Sequence, residues 1–366
     1  MSFLMNKANV YNVVGIMSGT SLDGLDIAHC TFELIDSKWN FRINAAETIS
    51  YPEDWIRRLG KLHSASALDF AITDIEYGKY IGEKVTSFLS DSTLNADLVA
   101  SHGHTIFHQP ASGYTVQIGH GEQIAALTSL PVVCDFRSLD VALGGQGAPL
   151  VPLGDRLLFS DYAFCLNIGG FANISFDDKF GERRAFDICP ANFILNRTAR
   201  QLGYPFDENG KIARNGNVHP ELISLMNNVP YYYKIYPKSL GREFVEEEID
   251  PLIHRFEINP EDLLRTATEH IAIQIADNIN ALTLGPSEVL VTGGGAKNIF
   301  LIERISQLCQ SKINIPETTI IDYKEALIFA FLGLLRWKGL INTLASVTGA
   351  RRNSSGGAVY GREMFN

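Results

Sequence analysis

Four short glycine-bearing segments stand out for what their backbones could hold: GIMSGTSLDG (Gly15 to Gly24), LGGQGAP (Leu143 to Pro149), NIGGFAN (Asn167 to Asn173) and VTGGGAKN (Val291 to Asn298). Glycine lets a chain come close to a phosphate or adopt positive φ, and turns of this kind aim backbone N–H groups at an anion. Any one of them can be a tight hairpin and nothing more. Four together, three with Ser, Thr or Asn alongside, point to a nucleotide. Neither G-x-x-x-x-G-K-[ST] nor G-x-G-x-x-G after a strand occurs, so P-loop and dinucleotide-fold readings fall away.

The first of these turns is the richest in functional groups. Thr20 and Ser21 offer hydroxyls and amides to a triphosphate, and Asp23 or Asp26 can hold magnesium directly or through water. The plainer alternative is an Asp23-Gly24 hairpin turn. His102 and His104 of SHGHTIFH, with His120 nearby, read three ways: a metal nest, satisfied structural groups, or hydrogen bonds to a polar substrate. Asp187 is expected at the end of a short strand from Ala185, entering a helix through ICPAN, where it is either displayed for catalysis or caps that helix. Glu325 is expected in the first turn of an apolar helix, Ala326 to Leu335, a place the helix dipole alone favours for an acid. Asp135, Arg137 and Asp140 of DFRSLD either pair with one another or orient a sugar. Cys189 is either a packed thiol or, given its polar segment, a nucleophile.

The elements that must position these groups follow from periodicity. Val10 to Ile16 and Leu25 to Leu34 read as strands on either side of the first turn, and Ala163 to Ile168 and Phe171 to Phe176 repeat that device around Gly169-Gly170. Ala67 to Leu89 and Pro260 to Leu284 carry apolar residues near a 3.6-residue period and read as helices, with a short helix at Pro220 to Met226. Short strands at Leu98 to Ala100, Val132 to Cys134 and Val289 to Val291 alternate with them, which makes the class α/β.

Composition bounds the rest. In 366 residues, 31 Lys+Arg stand against 41 Asp+Glu, a formal net charge of −10, with 46% hydrophobic and 20% charged residues. That length suits about two domains of roughly 150 residues each. The balance argues against disorder and, with no basic block, against nucleic acid. No apolar run approaches the roughly 20 residues of a membrane helix, and MSFLMNKANVYNVVGIM lacks the features of a signal peptide. Five cysteines without a CxxC pair fit a reducing cytoplasm.

Six segments taken in order, GIMSGTSLDGLD (Gly15 to Asp26), SHGHT (Ser101 to Thr105), DFRSLDVALGGQGAPLVP (Asp135 to Pro152), NIGGFAN, PKSLGRE (Pro237 to Glu243) and VTGGGAKN, resemble the anhydro-N-acetylmuramic acid kinases over almost the whole chain. The resemblance implies the actin-like, sugar-kinase and Hsp70 type of fold. That is two α/β domains, residues 1–134 with 342–366 and residues 135–341, with the active site and ATP in the cleft between them. It implies that water opens 1,6-anhydro-N-acetylmuramic acid while ATP phosphorylates O6, giving N-acetylmuramic acid 6-phosphate and ADP in peptidoglycan recycling. A kinase for another anhydro or ordinary sugar, or a non-catalytic actin-like nucleotide-binding protein, are the alternatives.

Carried over by position, Gly19, Thr20, Ser21, Leu22, Asp23, Gly24, Leu25 and Asp26 would contact the ATP phosphates, with Mg2+ on Asp23 and Asp26. Gly293, Gly294 and Gly295, together with Asn167, Gly169 and Gly170, would hold the nucleotide. Asp187 would be the catalytic base, supported by Glu325. His102, His104, Arg137, Asp140, Gln146 and Asn192 are expected on the sugar. A homodimer is implied. The chain departs from the family in DICPAN (Asp187 to Asn192) for Asp-Thr-Gly-Pro-Gly-Asn, in Asn196 for an acidic residue, and in His104 at a frequent glutamine position.

Overall fold

The computed structural model describes residues 10–283 and 285–361. The first nine residues of the stretch read for a leader, and residue 284 at the expected end of the second long helix, lie outside the described residues. In chain order the elements that matter are β1 (Val10–Ser18), β2 (Leu25–Ile35), β3 (Lys38–Ile49), α1 (Ala67–Asp91), β4 (Leu98–Gln109), β5 (Tyr114–Ile118), β6 (Val132–Cys134), α2 (Val151–Leu158), β7 (Phe164–Ile168), β8 (Phe171–Asp177), β9 (Arg183–Pro190), α3 (Asn192–Gln201), α4 (Pro260–Leu282), β10 (Glu288–Thr292), β11 (Lys312–Asn314), α5 (Thr318–Trp337) and β12 (Ala358–Tyr360).

Two compact units form. One runs from Phe159 to Asp322; the other combines the chain up to Leu158 with the chain from Tyr323 onward. Each is α/β around one mixed sheet. In the first unit the order is β12-β6-β4-β1-β2-β3, with β5 on β4. β1 and β2 are antiparallel, while β1 and β4 are parallel. In the second unit the order is β11-β10-β7-β8-β9.

Side-chain caps start the two long helices. Ser66 Oγ accepts the Asp69 amide at 3.1 Å to begin α1, and Asn259 Oδ1 accepts the Asp262 amide at 2.8 Å just before Pro260 in α4. α1 buries Tyr77, Ile81, Val85 and Phe88 against the first sheet, and α4 buries Leu264, Ile271, Ile275 and Ile279 in the core of the second unit.

The unit boundaries differ from the expected domains: residues 135–158 and 323–341 belong with the first unit. The reason is close packing. A side-chain carbon on Gly15 of β1 would lie 2.0 Å from the Ala326 carbonyl oxygen, and one on Gly333 would lie 2.4 Å from Ala100 Cβ of β4. These two glycines let α5 lie directly on the first sheet. α2 in turn packs on α5, where a carbon on Gly154 would meet Ile328 Cγ2 at 2.6 Å. β3, an edge strand with few buried positions, has no clean alternation and is absent from the sequence reading.

Candidate active site

In the second unit, adjacent parallel strands β7 and β10 end together, with Asn167 paired to Thr292. Their carboxyl ends, where open α/β sheets present ligand sites, carry two of the glycine segments. Gly169 and Gly170 turn β7 back into β8. Gly293 has φ 80°, and a side-chain carbon on it would lie 2.5 Å from Asn167 Oδ1 and 2.8 Å from the Ile168 carbonyl oxygen. The same atom on Gly295 would sit 2.2 Å from Ile168 Cγ2. On Gly294 it would meet only Asn192 Nδ2, at 3.6 Å. Asn192 Nδ2 donates to the Ile168 carbonyl at 3.1 Å. Asn167, Gly169, Gly170 and Gly293 to Gly295 therefore converge, and Asn192, expected on the sugar, lies with them. The first amides of α3 are already engaged: those of Ala191 and Phe193 donate to Gly170 O at 2.8 and 3.1 Å, and that of Asn192 to Gly169 O at 3.1 Å.

Asp187 lies inside β9, not at a strand end, because pairing with β8 continues to Pro190. Register slips between Ala172 and Asn173, so the strand bulges beside Asp187. It does not cap α3, whose N-cap is Ala191. Instead residues 231–240 wrap it. The Asp187 amide donates to Lys238 O at 3.2 Å, Tyr231 OH donates to Asp187 O at 2.7 Å, and the Leu240 amide donates to Asp187 Oδ2 at 2.8 Å. Oδ1 has no hydrogen bond to any described residue. Burial raises the carboxyl above its ordinary value, and the Leu240 N–H partly offsets that. Lys238 and Leu240 lie in the PKSLGRE segment that carries the resemblance but have no role assigned there, because each contributes only a backbone atom, which residue type does not announce; Tyr231 lies outside the quoted segments. Cys189, two residues on, is fully buried with its thiol pushed up, so it is packed rather than nucleophilic.

In the first unit, residues 19–24 form a longer loop between β1 and β2 rather than a two-residue Asp23-Gly24 hairpin. Leu22 N donates to Gly19 O at 3.3 Å, with Leu22 at φ 59°, and Ser21 Oγ donates to Asp23 Oδ1 at 2.9 Å. Thr20, Ser21 and Asp23 are exposed. Leu25 and Asp26 open β2, where Leu25 is buried and Asp26 Oδ1 accepts from Thr48 Oγ1 at 2.6 Å.

Glu325 lies well inside α5, which begins at Thr318, so the first-turn dipole reading does not apply. It retains solvent contact, yet surrounding protein raises its carboxyl; Arg137 and Lys324 pull it back, and Asp26 and Asp155 push it further up. Beside it Lys324 Nζ and Asp155 Oδ1 form a buried ion pair at 2.7 Å.

The histidines do not form a metal nest. Among the described residues no group of three or more His, Cys, Asp or Glu side chains is placed to hold a metal ion. His102 is buried, and its Nε2 accepts from Arg137 Nε at 3.0 Å and Nη2 at 2.9 Å, so its proton is on Nδ1, donated to Gly103 O at 2.9 Å. Burial and the Arg137 charge hold it neutral. Arg137 Nη1 donates to Gly147 O at 2.7 Å, and burial lowers the guanidinium to about 10. Asp140, 1% exposed, pairs with neither Arg137 nor Asp135. Its carboxylate accepts from Gly147 N at 2.8 Å and Thr348 Oγ1 at 2.7 Å, tying the GGQG loop to the returning chain. Gln146 is exposed, with its amide on Thr348 O at 2.8 Å. His104 Nδ1 lies 2.8 Å from Ser18 Oγ, and burial lowers the ring to about 4.

The chain is similar to known proteins over nearly its whole length. A family model described as anhydro-N-acetylmuramic acid kinase matches residues 11–362. An anhydro-N-acetylmuramic acid kinase of Pseudomonas syringae pv. tomato is 36% identical, covering 95% of this chain and 98% of its own. One of Vibrio cholerae is 35% identical, covering 95% and 97%. Among solved structures, Acidaminococcus fermentans (R)-2-hydroxyglutaryl-CoA dehydratase component A aligns over 88% of this chain and 97% of its own, at 12% identity and a TM-score of 0.46. With a family match from the second residue of β1 to just beyond β12, the chain belongs to the anhydro-N-acetylmuramic acid kinase family.

Proposed function

We propose that this protein uses ATP to phosphorylate O6 of 1,6-anhydro-N-acetylmuramic acid while water opens the anhydro bridge, releasing N-acetylmuramic acid 6-phosphate and ADP in peptidoglycan recycling. The observation that carries the reading is Asp187: a carboxylate held by one backbone amide through Oδ2, with Oδ1 unengaged and its affinity for a proton raised by burial. In the anhydro sugar O6 is bonded to C1 and has no proton to lose, so a base must act on water. Asp187 Oδ1 takes that proton as the water oxygen bonds to C1. The C1–O6 bond breaks towards O6, and O6 takes the γ-phosphoryl group as ADP leaves.

The Gly19 to Asp26 loop supplies Thr20 and Ser21 hydroxyls and amides to the phosphates, and the cluster of Gly293 to Gly295 with Asn167, Gly169, Gly170 and Asn192 takes the nucleotide. Magnesium belongs to the same reading, on Asp23 and Asp26 of this loop, and the acidic surroundings of Asp26 support it. Asp26 and Glu325 act on each other electrostatically, and this ion is commonly held by one or two carboxylates completed by water and phosphate oxygens. When bound it would neutralise charge on the phosphates. A homodimer, and a reducing compartment such as the cytoplasm, belong to the same reading; five free thiols support the compartment.

A coupled ADP assay with purified 1,6-anhydro-N-acetylmuramic acid tests the proposal, with glucose and N-acetylmuramic acid as comparisons. Turnover confined to the anhydro sugar is expected. In ¹⁸O-water, promptly quenched product should carry label at C1 and none in phosphate. Absence of ADP release by the folded protein, or label in phosphate, would overturn the proposal.

A further inference from the structure

β1 ends at Ser18, immediately before the Gly19 to Gly24 loop, and Ser18 sits in a buried hydrogen-bonded row. Tyr77 OH is 2.6 Å from Tyr51 OH, Tyr51 OH is 2.8 Å from Ser18 Oγ, and Ser18 Oγ is 2.8 Å from His104 Nδ1. Tyr77 is 0% exposed, Ser18 2% and His104 3%, so no bulk water completes the row.

Each hydroxyl owns one proton, and counting them sets the direction of the row. The hydroxyl of Tyr77 has its hydrogen bond to Tyr51; Ser18 acts on it as a hydrogen-bonding neighbour that lowers its pKa, the sense of a proton giver and not of an acceptor, and the bonds Ser18 makes at 2.8 Å run to Tyr51 and His104. A buried O–H left without an acceptor costs about 1–3 kcal/mol. Tyr77 therefore donates to Tyr51, Tyr51 to Ser18, and Ser18 to His104. That last bond needs a lone pair on Nδ1, which leaves the imidazole proton on Nε2. The opposite order puts the proton on Nδ1 and strands that of Tyr77. A doubly protonated ring would do the same, and burial keeps the ring neutral at physiological pH.

Nε2 has no hydrogen bond to any described residue and is not sealed from solvent. We propose that the row Tyr77–Tyr51–Ser18 fixes His104 in one tautomer so that its Nε2–H is a permanent donor to an acceptor oxygen of the bound ligands, either a phosphoryl oxygen or a sugar oxygen. His104 is then a specificity-determining residue, and Tyr77 and Tyr51, which touch no ligand, are positioning residues. His102, by contrast, has its proton on Nδ1 and both nitrogens engaged within the protein. The two histidines of one HxH therefore carry opposite tautomers.

This rests on the proposed kinase reaction for its ligands but not for its first measurement. ¹⁵N NMR of the full-length chain labelled at histidine, without ligand, with the His104 signal assigned by its loss in His104→Gln, should show a protonated Nε2 and an unprotonated Nδ1. Ser18→Ala removes the hydroxyl that donates to Nδ1, and the Nδ1–H form should appear, whereas Tyr77→Phe leaves Tyr51 as the end of the row with the same proton to place and should keep the tautomer. An Nδ1 proton in the wild type, or an unchanged tautomer in Ser18→Ala, would overturn the proposal. His104→Ala should then raise KM roughly tenfold for one ligand with a smaller change in kcat, and His104→Gln, which retains an N–H donor, should fall between. A rise for ATP identifies a phosphoryl oxygen, and a rise for the sugar a sugar oxygen; no rise for either rejects the donor role. A wild-type chain that folds but does not turn over the anhydro sugar would defeat the proposed reaction and leave the tautomer result standing, with ATP affinity then read by calorimetry.

Discussion

The Leu240 amide donates to Oδ2 of Asp187 at 2.8 Å across 53 residues of sequence. One oxygen of the carboxylate is thereby oriented by a backbone group that no side-chain change alters, while the other stays open. Burial and this single bond act in opposite directions on the carboxyl, and burial prevails.

Asp187→Asn preserves size and can still accept from Leu240, but it cannot take a proton from water. kcat is expected to fall roughly 10²- to 10⁴-fold, with ATP affinity by calorimetry little changed. In the wild type, activity should rise with pH as Asp187 ionises, with its midpoint above the ordinary carboxylate value. An active, folded Asp187→Asn enzyme would remove Asp187 from the base role.

The same shift has a stability consequence of opposite sign. A carboxyl whose folded pKa exceeds its unfolded value binds more protons folded than unfolded, so its contribution to stability falls as pH rises through that window. At neutral pH Asp187→Asn is expected to be at least as stable as the wild type. The advantage should shrink below the ordinary carboxylate pKa. Urea denaturation at both pH values checks this, and a variant destabilised only at neutral pH contradicts the assigned direction.

Two neighbouring glycines should behave differently. Gly294 has room, its nearest atom being Asn192 Nδ2 at 3.6 Å, so Gly294→Val should keep the fold and lose ATP affinity. Gly295→Ala forces a carbon to within 2.2 Å of Ile168 Cγ2 and should lower Tm. Thermal melts with calorimetry separate the two effects; unchanged ATP affinity in Gly294→Val would place the nucleotide elsewhere.

If Asp26 holds magnesium, Asp26→Asn should raise the Mg2+ concentration for half-maximal activity by at least roughly tenfold. ATP binding in the presence of EDTA should be little affected. An unaltered Mg2+ titration curve assigns the ion to other groups.

The sequence by itself determined the α/β class, the strands flanking the first and third glycine segments, the two long helices and the family, because periodicity and short motifs are local. Val132–Cys134 appears at its expected bounds, and α1 and β2 differ from expectation only near their ends. Tertiary structure alone decided what the polar groups touch. Asp140 reads as a sugar ligand until Gly147 and Thr348 take its carboxylate, and Thr348 is 208 residues away. His102 and His104 look equivalent in sequence and differ because one meets Arg137, which can only donate, while the other meets a row of hydroxyls. Asn192 joins the glycine cluster through Ile168 O, and Glu325 becomes an interior helical residue once α5 extends back to Thr318. These assignments depend on long-range partners and on the burial they create, and neither is encoded in the spacing of residues along the chain.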